Sequence, residues 1–89
     1  MPKTTSRFWK CFQGLPLSIQ KLARENFTLL KANPPHPSLH FKKIGNFWSV
    51  RISLNHRALA IKDGSDYIWV WVGNHDEYQR STGEILNFI

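Results

Sequence analysis

Cysteine, acidic residues and long apolar runs are all scarce in this sequence. Its one cysteine, Cys11, cannot form an internal disulfide or a thiol-rich metal site, and a lone thiol packs as a small apolar side chain. That usage is compatible with a reducing cytoplasm. The stretch MPKTTSRFWKCFQGLP lacks the continuous apolar segment of a signal peptide. No run approaches the roughly 20 apolar residues of a membrane span, so a cytoplasmic protein is expected. Six acidic residues stand against twelve Lys and Arg, a formal net charge of +6. The surplus favours a polyanionic or acidic partner, although charge also keeps a small protein soluble. Repeats, low-complexity segments and dividing linkers are missing too. The 89 residues are expected to form a single domain, 1–89, around one core.

What is present is globular in character. Apolar residues reach 42% and aromatics 13%, too many for a disordered chain. Thr4, Thr5 or Ser6 can cap a short helix carrying Phe8, Trp9 and Phe12 at i, i+1, i+4 spacing. Gly14 permits a break, and Pro16 suits the first turn of a second helix. Leu17, Ile19, Leu22, Ala23, Phe27, Leu29 and Leu30 recur near helical period, leaving Gln20, Lys21, Arg24 and Lys31 outward. NPPHP, residues 33–37, stops that helix.

From Leu39 the period becomes two. LHFKKI reads as a strand, Gly45-Asn46 as a tight hairpin turn, and FWSVRISL as a half-buried strand. In it Trp48, Val50, Ile52 and Leu54 face one way, and Phe47, Ser49, Arg51 and Ser53 the other. Asn55-His56 turns into RALAIK, and Asp63-Gly64 turns into YIWVWV, which is apolar on both faces and so belongs inside the sheet. GEILNFI is expected to dock as a last strand or turn. The expected class is α+β, with two N-terminal helices packed on an antiparallel sheet of about four strands.

Several polar groups converge in this layout. Ser49, Arg51 and Ser53 share a face, Lys42 and Lys43 lie across the Gly45-Asn46 turn, and Arg57 opens the next strand. His75, Tyr78 and Arg80 follow the last one. Such a surface can seat phosphates, with Lys42, Lys43 and Arg80 as contacts. Metal-free cleavage of RNA needs an activated 2′-OH, a held phosphate and stabilised charge, which Arg, Lys, His and Tyr can supply. Each piece also has a plain alternative. A lone strand Arg is usually a solvated face, and Trp48, Trp69 and Trp71 read as sheet packing before base stacking. His40 and His56 read as surface or turn residues. His36 and His40 are separated by Pro37 and make no helical metal pair. Asp76 and Glu77 are adjacent, not a paired-carboxylate site, and serve at most to counter the local cations. No metal or other cofactor is expected.

The ordered set of segments RFWKCFQGLPLSIQKLARENFTLL, NPPHPSLHFKKI, FWSVRISLNHRALAI and IWVWVGNHDEYQR resembles the RelE/ParE superfamily of small bacterial toxins. The third segment is the most specific, combining an aromatic, a basic-hydrophobic strand and an Arg opening the next. The resemblance implies a RelE-like, microbial-RNase-type fold. It also implies a ribosome-dependent endoribonuclease that cuts mRNA and is held inactive by a cognate antitoxin, with no membrane partner. Carried over, Arg51, Arg57, His75 and Tyr78 fall on the catalytic positions.

Two departures stand out. Ser49 occupies a position where such RNases often carry a lysine, so one cation is missing unless Lys43 substitutes. The spacing from His75 to Tyr78 is also tight. A two-residue Asn55-His56 loop would pair Leu54 with Arg57 and place Arg57 opposite the Arg51 face; a bulge would restore a common face. The ParE-like branch, which poisons DNA gyrase, remains the alternative.

Overall fold

Thr5 starts the first helix by accepting the Phe8 N–H on its Oγ1 at 3.2 Å, the geometry of an N-cap. The protein is described by a computed structural model, which defines residues 3–74 and Asp76. In chain order the elements are β1 (Lys3–Thr4), α1 (Ser6–Gln13), α2 (Leu17–Ala32), a 3-10 turn (Pro37–Leu39), β2 (Lys42–Ile44), β3 (Phe47–Ser53), β4 (His56–Asp63) and β5 (Asp66–Asn74). The sheet order is β1-β5-β4-β3-β2, antiparallel except for the parallel β1–β5 pair. The expected α+β class and the helix positions hold, and β5 does lie inside the sheet.

A fifth strand is the first difference. β1 is two residues long, pairs across the whole chain with Ile68 and Trp69, and is tied by a Lys3–Asp66 ion pair of 3.1 Å. The hydrogen bond that Lys3 donates to Asp66, and then the Asp66 charge, hold the Lys3 ammonium above its ordinary pKa. A two-residue strand has no period to read. The second difference lies in LHFKKI: only residues 42–44 are strand, because Leu39 is buried in the 3-10 turn and His40 adopts a left-handed backbone, φ 44°. Third, Leu17 is 82% exposed and Leu22 37% exposed. Leu17 is the first residue of α2 and precedes the stretch that packs on the sheet, where Ala23 and Phe27 are buried.

The main core lies between the helices and one sheet face. Phe8, Phe12, Ala23, Phe27, Val50, Ile52, Ala58, Ala60, Trp69 and Val72 form it. Trp69 is 1% exposed and meets Phe27 edge-on at 4.8 Å. A smaller cluster, Phe47, Leu59 and Trp71, lies on the other face. A bulge in β5 explains why Trp69 and Trp71 point opposite ways: Leu59 pairs with Trp71 but Ala60 with Trp69, leaving Val70 unpaired. That irregularity lets one run of apolar residues serve two clusters.

Candidate functional site

The β2–β3 turn is the expected Gly45-Asn46, with Gly45 at φ 59° supplying the left-handed conformation that a two-residue hairpin requires. This register decides which lysine joins which face. Lys42 pairs with Ser49, on the face away from the main core, whereas Lys43 pairs with Trp48, which packs on the core side. In this register Lys43 does not stand beside Ser49 to fill the gap of the missing cation. Directly opposed residues share a face, and the lysine opposed to Ser49 is Lys42.

The β3–β4 turn differs from the expected one. Ser53 pairs with His56, so the two loop residues are Leu54 and Asn55. An unbroken ladder from that turn would still oppose Arg57 to Ile52 and separate it from Arg51. The ladder is broken: Arg51 pairs with Arg57, and the register shifts between Arg51 and Ser53. Ile52 is the extra residue. The bulge resolves the geometric question raised by the sequence, and Arg51 and Arg57 share one face.

Two adjacent rows result. One runs Lys42, Ser49, Leu59, Trp71 and the next Arg51, Arg57, Gly73. Gly73 adds no side chain beside Arg57. Both arginines are half-buried and Lys42 is exposed. Ser49 is fully buried, and its hydroxyl has no hydrogen-bond partner among the described residues. Two guanidiniums opposed on neighbouring strands present several donors to one side, an arrangement that suits a phosphate.

Two further residues reach this site, and the sequence reading assigned neither to it. His40 brings its Nε2 to 3.4 Å from Arg51 Nη1, where the guanidinium donates if the imidazole carries its proton on Nδ1. Its left-handed backbone is uncommon outside Gly, Asn, Asp and His. A His in a one-residue αL corner was a signal only the backbone could supply. Asn26, on α2, donates its side-chain amide to the carbonyls of Arg51 at 3.2 Å and Ile52 at 2.7 Å. A helical Asn reads in sequence as a solvated polar position. His36 is engaged locally, accepting from Ser38 N at 3.2 Å, and His56 lies 2.9 Å from Ser53 Oγ.

His75, Tyr78 and Arg80 lie outside the described residues. β5 does end beside the site, with Gly73 opposite Arg57 and Asn74 opposite His56. On the core side of the sheet, a cavity of about 610 Å³ opens between α2 and β5, floored by Phe27, Phe41, Tyr67 and Trp69 and rimmed by Lys3, Arg24 and Lys31. Among the described residues, no three His, Cys, Asp or Glu side chains cluster as a metal site would need. No helix of the described residues is long and apolar enough to cross a membrane.

The chain is similar in architecture to solved structures that are distant in sequence. A chain of the RelB-RelE antitoxin-toxin complex from Methanococcus jannaschii superposes with a TM-score of 0.71 at 19% identity, covering 89% of this chain and 96% of that one. The YoeB/ParE toxin from Agrobacterium tumefaciens gives 0.66 at 18% identity, over 84% and 99% of the two chains. YafQ from Escherichia coli gives 0.62 at 13% identity, over 88% and 96%. At these identities the likeness is one of fold. No curated protein matches the sequence. The family model of the ParE-like toxin domain matches residues 17–80, which takes in α2, β2 to β5 and both arginines, and the chain accordingly belongs to the ParE-like toxin domain family of the RelE/ParE superfamily.

Proposed function

We propose that this protein is the toxin of a toxin–antitoxin pair and acts as a metal-independent endoribonuclease on mRNA held in the ribosome. The observation that carries the reading is the direct opposition of Arg51 and Arg57, with Lys42 in the neighbouring row. Two guanidiniums on one face can grip a scissile phosphate and stabilise the charge it gains as the 2′-oxygen attacks. In that step a base takes the 2′-OH proton, the new O–P bond forms, and the 5′-oxygen leaves with a proton from an acid. His75 is proposed as the proton-transfer group, since β5 ends beside Arg57, and Tyr78 as a stacking or assisting group. Lys43 points elsewhere and drops out of the phosphate contacts, whereas Lys42 stays, with Arg80 as a further proposed contact.

An antitoxin partner is supported by the Methanococcus jannaschii neighbour, which was solved as an antitoxin-toxin complex. The +6 charge favours an acidic segment in that partner. A second reading, poisoning of DNA gyrase, is favoured by Ser49, where an RNase of this type would be expected to hold a cation. Induction of the chain separates the two. Translation arrest with cleavage of mRNA on programmed ribosomes supports the first, and loss of supercoiling with intact mRNA supports the second.

A further inference from the structure

The β3–β4 hairpin carries one residue more than a regular ladder can hold between two fixed points. Toward the sheet centre the register is set by Val50 opposite Ala58, both fully buried in the main core. At the turn it is set by Ser53 opposite His56, whose side chains also meet at 2.9 Å. In that interval β3 has Arg51 and Ile52, while β4 has only Arg57. Either β3 residue can stand opposite Arg57, and the other then becomes the bulge. With Ile52 in that place, Arg57, held on the face away from the helices by its neighbour Ala58, would be opposed by Ile52, and Arg51 would lose its place across from it.

We propose that Asn26 is the positioning residue that selects between these two registers. Its amide reaches the two successive carbonyls at the bulge, 3.2 Å to Arg51 and 2.7 Å to Ile52. A bulge interrupts the ladder and leaves backbone groups in need of partners. Under a packed helix such groups are satisfied by side chains or the conformation is abandoned. If the bulge moved to Arg51, the interrupted carbonyls would shift back along β3 by about 3.3 Å, one strand residue. Asn26 could then serve at most one of them. The helix thus reads the position of the bulge, and through it the relation of the two arginines. Asn26 touches no substrate in this scheme; it acts on the backbone that carries Arg51.

The consequence for activity rests on the phosphate role proposed for Arg51 and Arg57, but the register itself can be measured without it. In the full chain with Cys11→Ser, the pair R51C and R57C reports the register by disulfide formation, since opposed residues have Cβ atoms about 4.5–5.5 Å apart. With Asn26 in place this crosslink should close readily. Asn26→Ala, and Asn26→Asp, which keeps the shape but lacks the donor, should slow it at least tenfold. Asn26→Gln, which keeps the amide, should restore part of the rate. NMR contacts between the backbones of residues 51 and 57, in chains without the paired cysteines, give the same readout for whichever variants fold. They should give way to contacts between 52 and 57 when the donor is lost. Unchanged crosslinking and unchanged 51–57 contacts in a folded Asp or Ala variant overturn the proposal, whatever happens to the melting temperature. In the cleavage assay, loss of the donor should lower the rate by about a hundredfold, the size expected of a misplaced catalytic group. If the native chain never cleaves while the register shifts as stated, the endoribonuclease reading fails and the role of Asn26 stands.

Discussion

Lys42 stands directly opposite Ser49 in the β2–β3 ladder, while Lys43 next to it faces the core side with Trp48. Adjacent lysines that look equivalent in sequence are thus separated by the alternation of the strand. Lys42→Ala should weaken RNA binding and reduce its salt dependence by about one counterion, as loss of a phosphate contact does. Lys43→Ala should leave both nearly unchanged. Titrations of a short mRNA at several salt concentrations decide this, and equal effects of the two substitutions would remove Lys42 from the site.

Ser49 offers a test of the ground beneath those cations. Its hydroxyl is fully buried with no partner among the described residues. A buried hydroxyl without a hydrogen bond has given up its bonds to water for nothing in return. Ser49→Ala should therefore leave stability unchanged or raise it by up to about 1 kcal/mol, while Ser49→Lys, which forces a charge into the same place, should lower it. Urea unfolding of the two variants checks the order, and a clear loss in the Ala variant would mean that the hydroxyl is bonded.

The sequence made the helices, β3, β4 and β5 legible because each carries several residues of clean period. It also made Arg51 and Arg57 legible as candidates, but not their relation. That relation depends on Ile52 being a bulge, and an Ile in a bulge looks like an Ile in any strand. The same holds for Val70, whose unpaired position lets Trp69 and Trp71 serve opposite faces. β1 was hidden for another reason: two residues gain their structure wholly from a partner strand more than sixty residues away. His40 and Asn26 act through a backbone corner and a helix-to-strand contact, and neither leaves a spacing to count. Long-range register is the common element in what the sequence did not display.

Trp69 tests the packing that supports the site. It is 1% exposed, lies against Phe27 at 4.8 Å, and pairs in β5 with Ala60 and with β1. Trp69→Ala should destabilise the fold by roughly 3–5 kcal/mol through lost contacts and an unfilled cavity. Thermal and urea unfolding measure this directly. A loss below about 1 kcal/mol would show that the neighbouring rings collapse into the space.

His40 separates backbone strain from site chemistry. Its φ of 44° costs most side chains about 1–2 kcal/mol, a cost glycine does not carry. His40→Gly should therefore hold or slightly raise stability, after allowance for glycine's greater unfolded-state freedom. It also removes the imidazole 3.4 Å from Arg51, so cleavage should fall while the fold persists. His40→Asn, which tolerates the same backbone, should show the same loss. Full cleavage by both variants would make His40 a corner residue and nothing more.

The division of labour among Arg51, Arg57, His75 and Tyr78 is the decisive case. Two guanidiniums opposed across a ladder act on charge that grows in the transition state, so Arg51→Ala and Arg57→Ala should lower the cleavage rate by about 10²–10³ with smaller effects on binding. Arg57→Lys should recover little, because an ammonium cannot reproduce the planar fork. His75→Ala should remove proton transfer, since imidazole titrates nearest working pH; Tyr78→Ala should cost less if the ring only stacks or assists. Antitoxin binding and the circular dichroism spectrum should survive the arginine changes, because both side chains are half-buried on the face away from the main core. The assay is cleavage of mRNA on programmed ribosomes, with each variant first shown to be folded. Wild-type rates from the folded Arg57 and His75 variants would dismiss the catalytic assignment, and a native chain that spares mRNA but blocks gyrase would hand the site to the second reading.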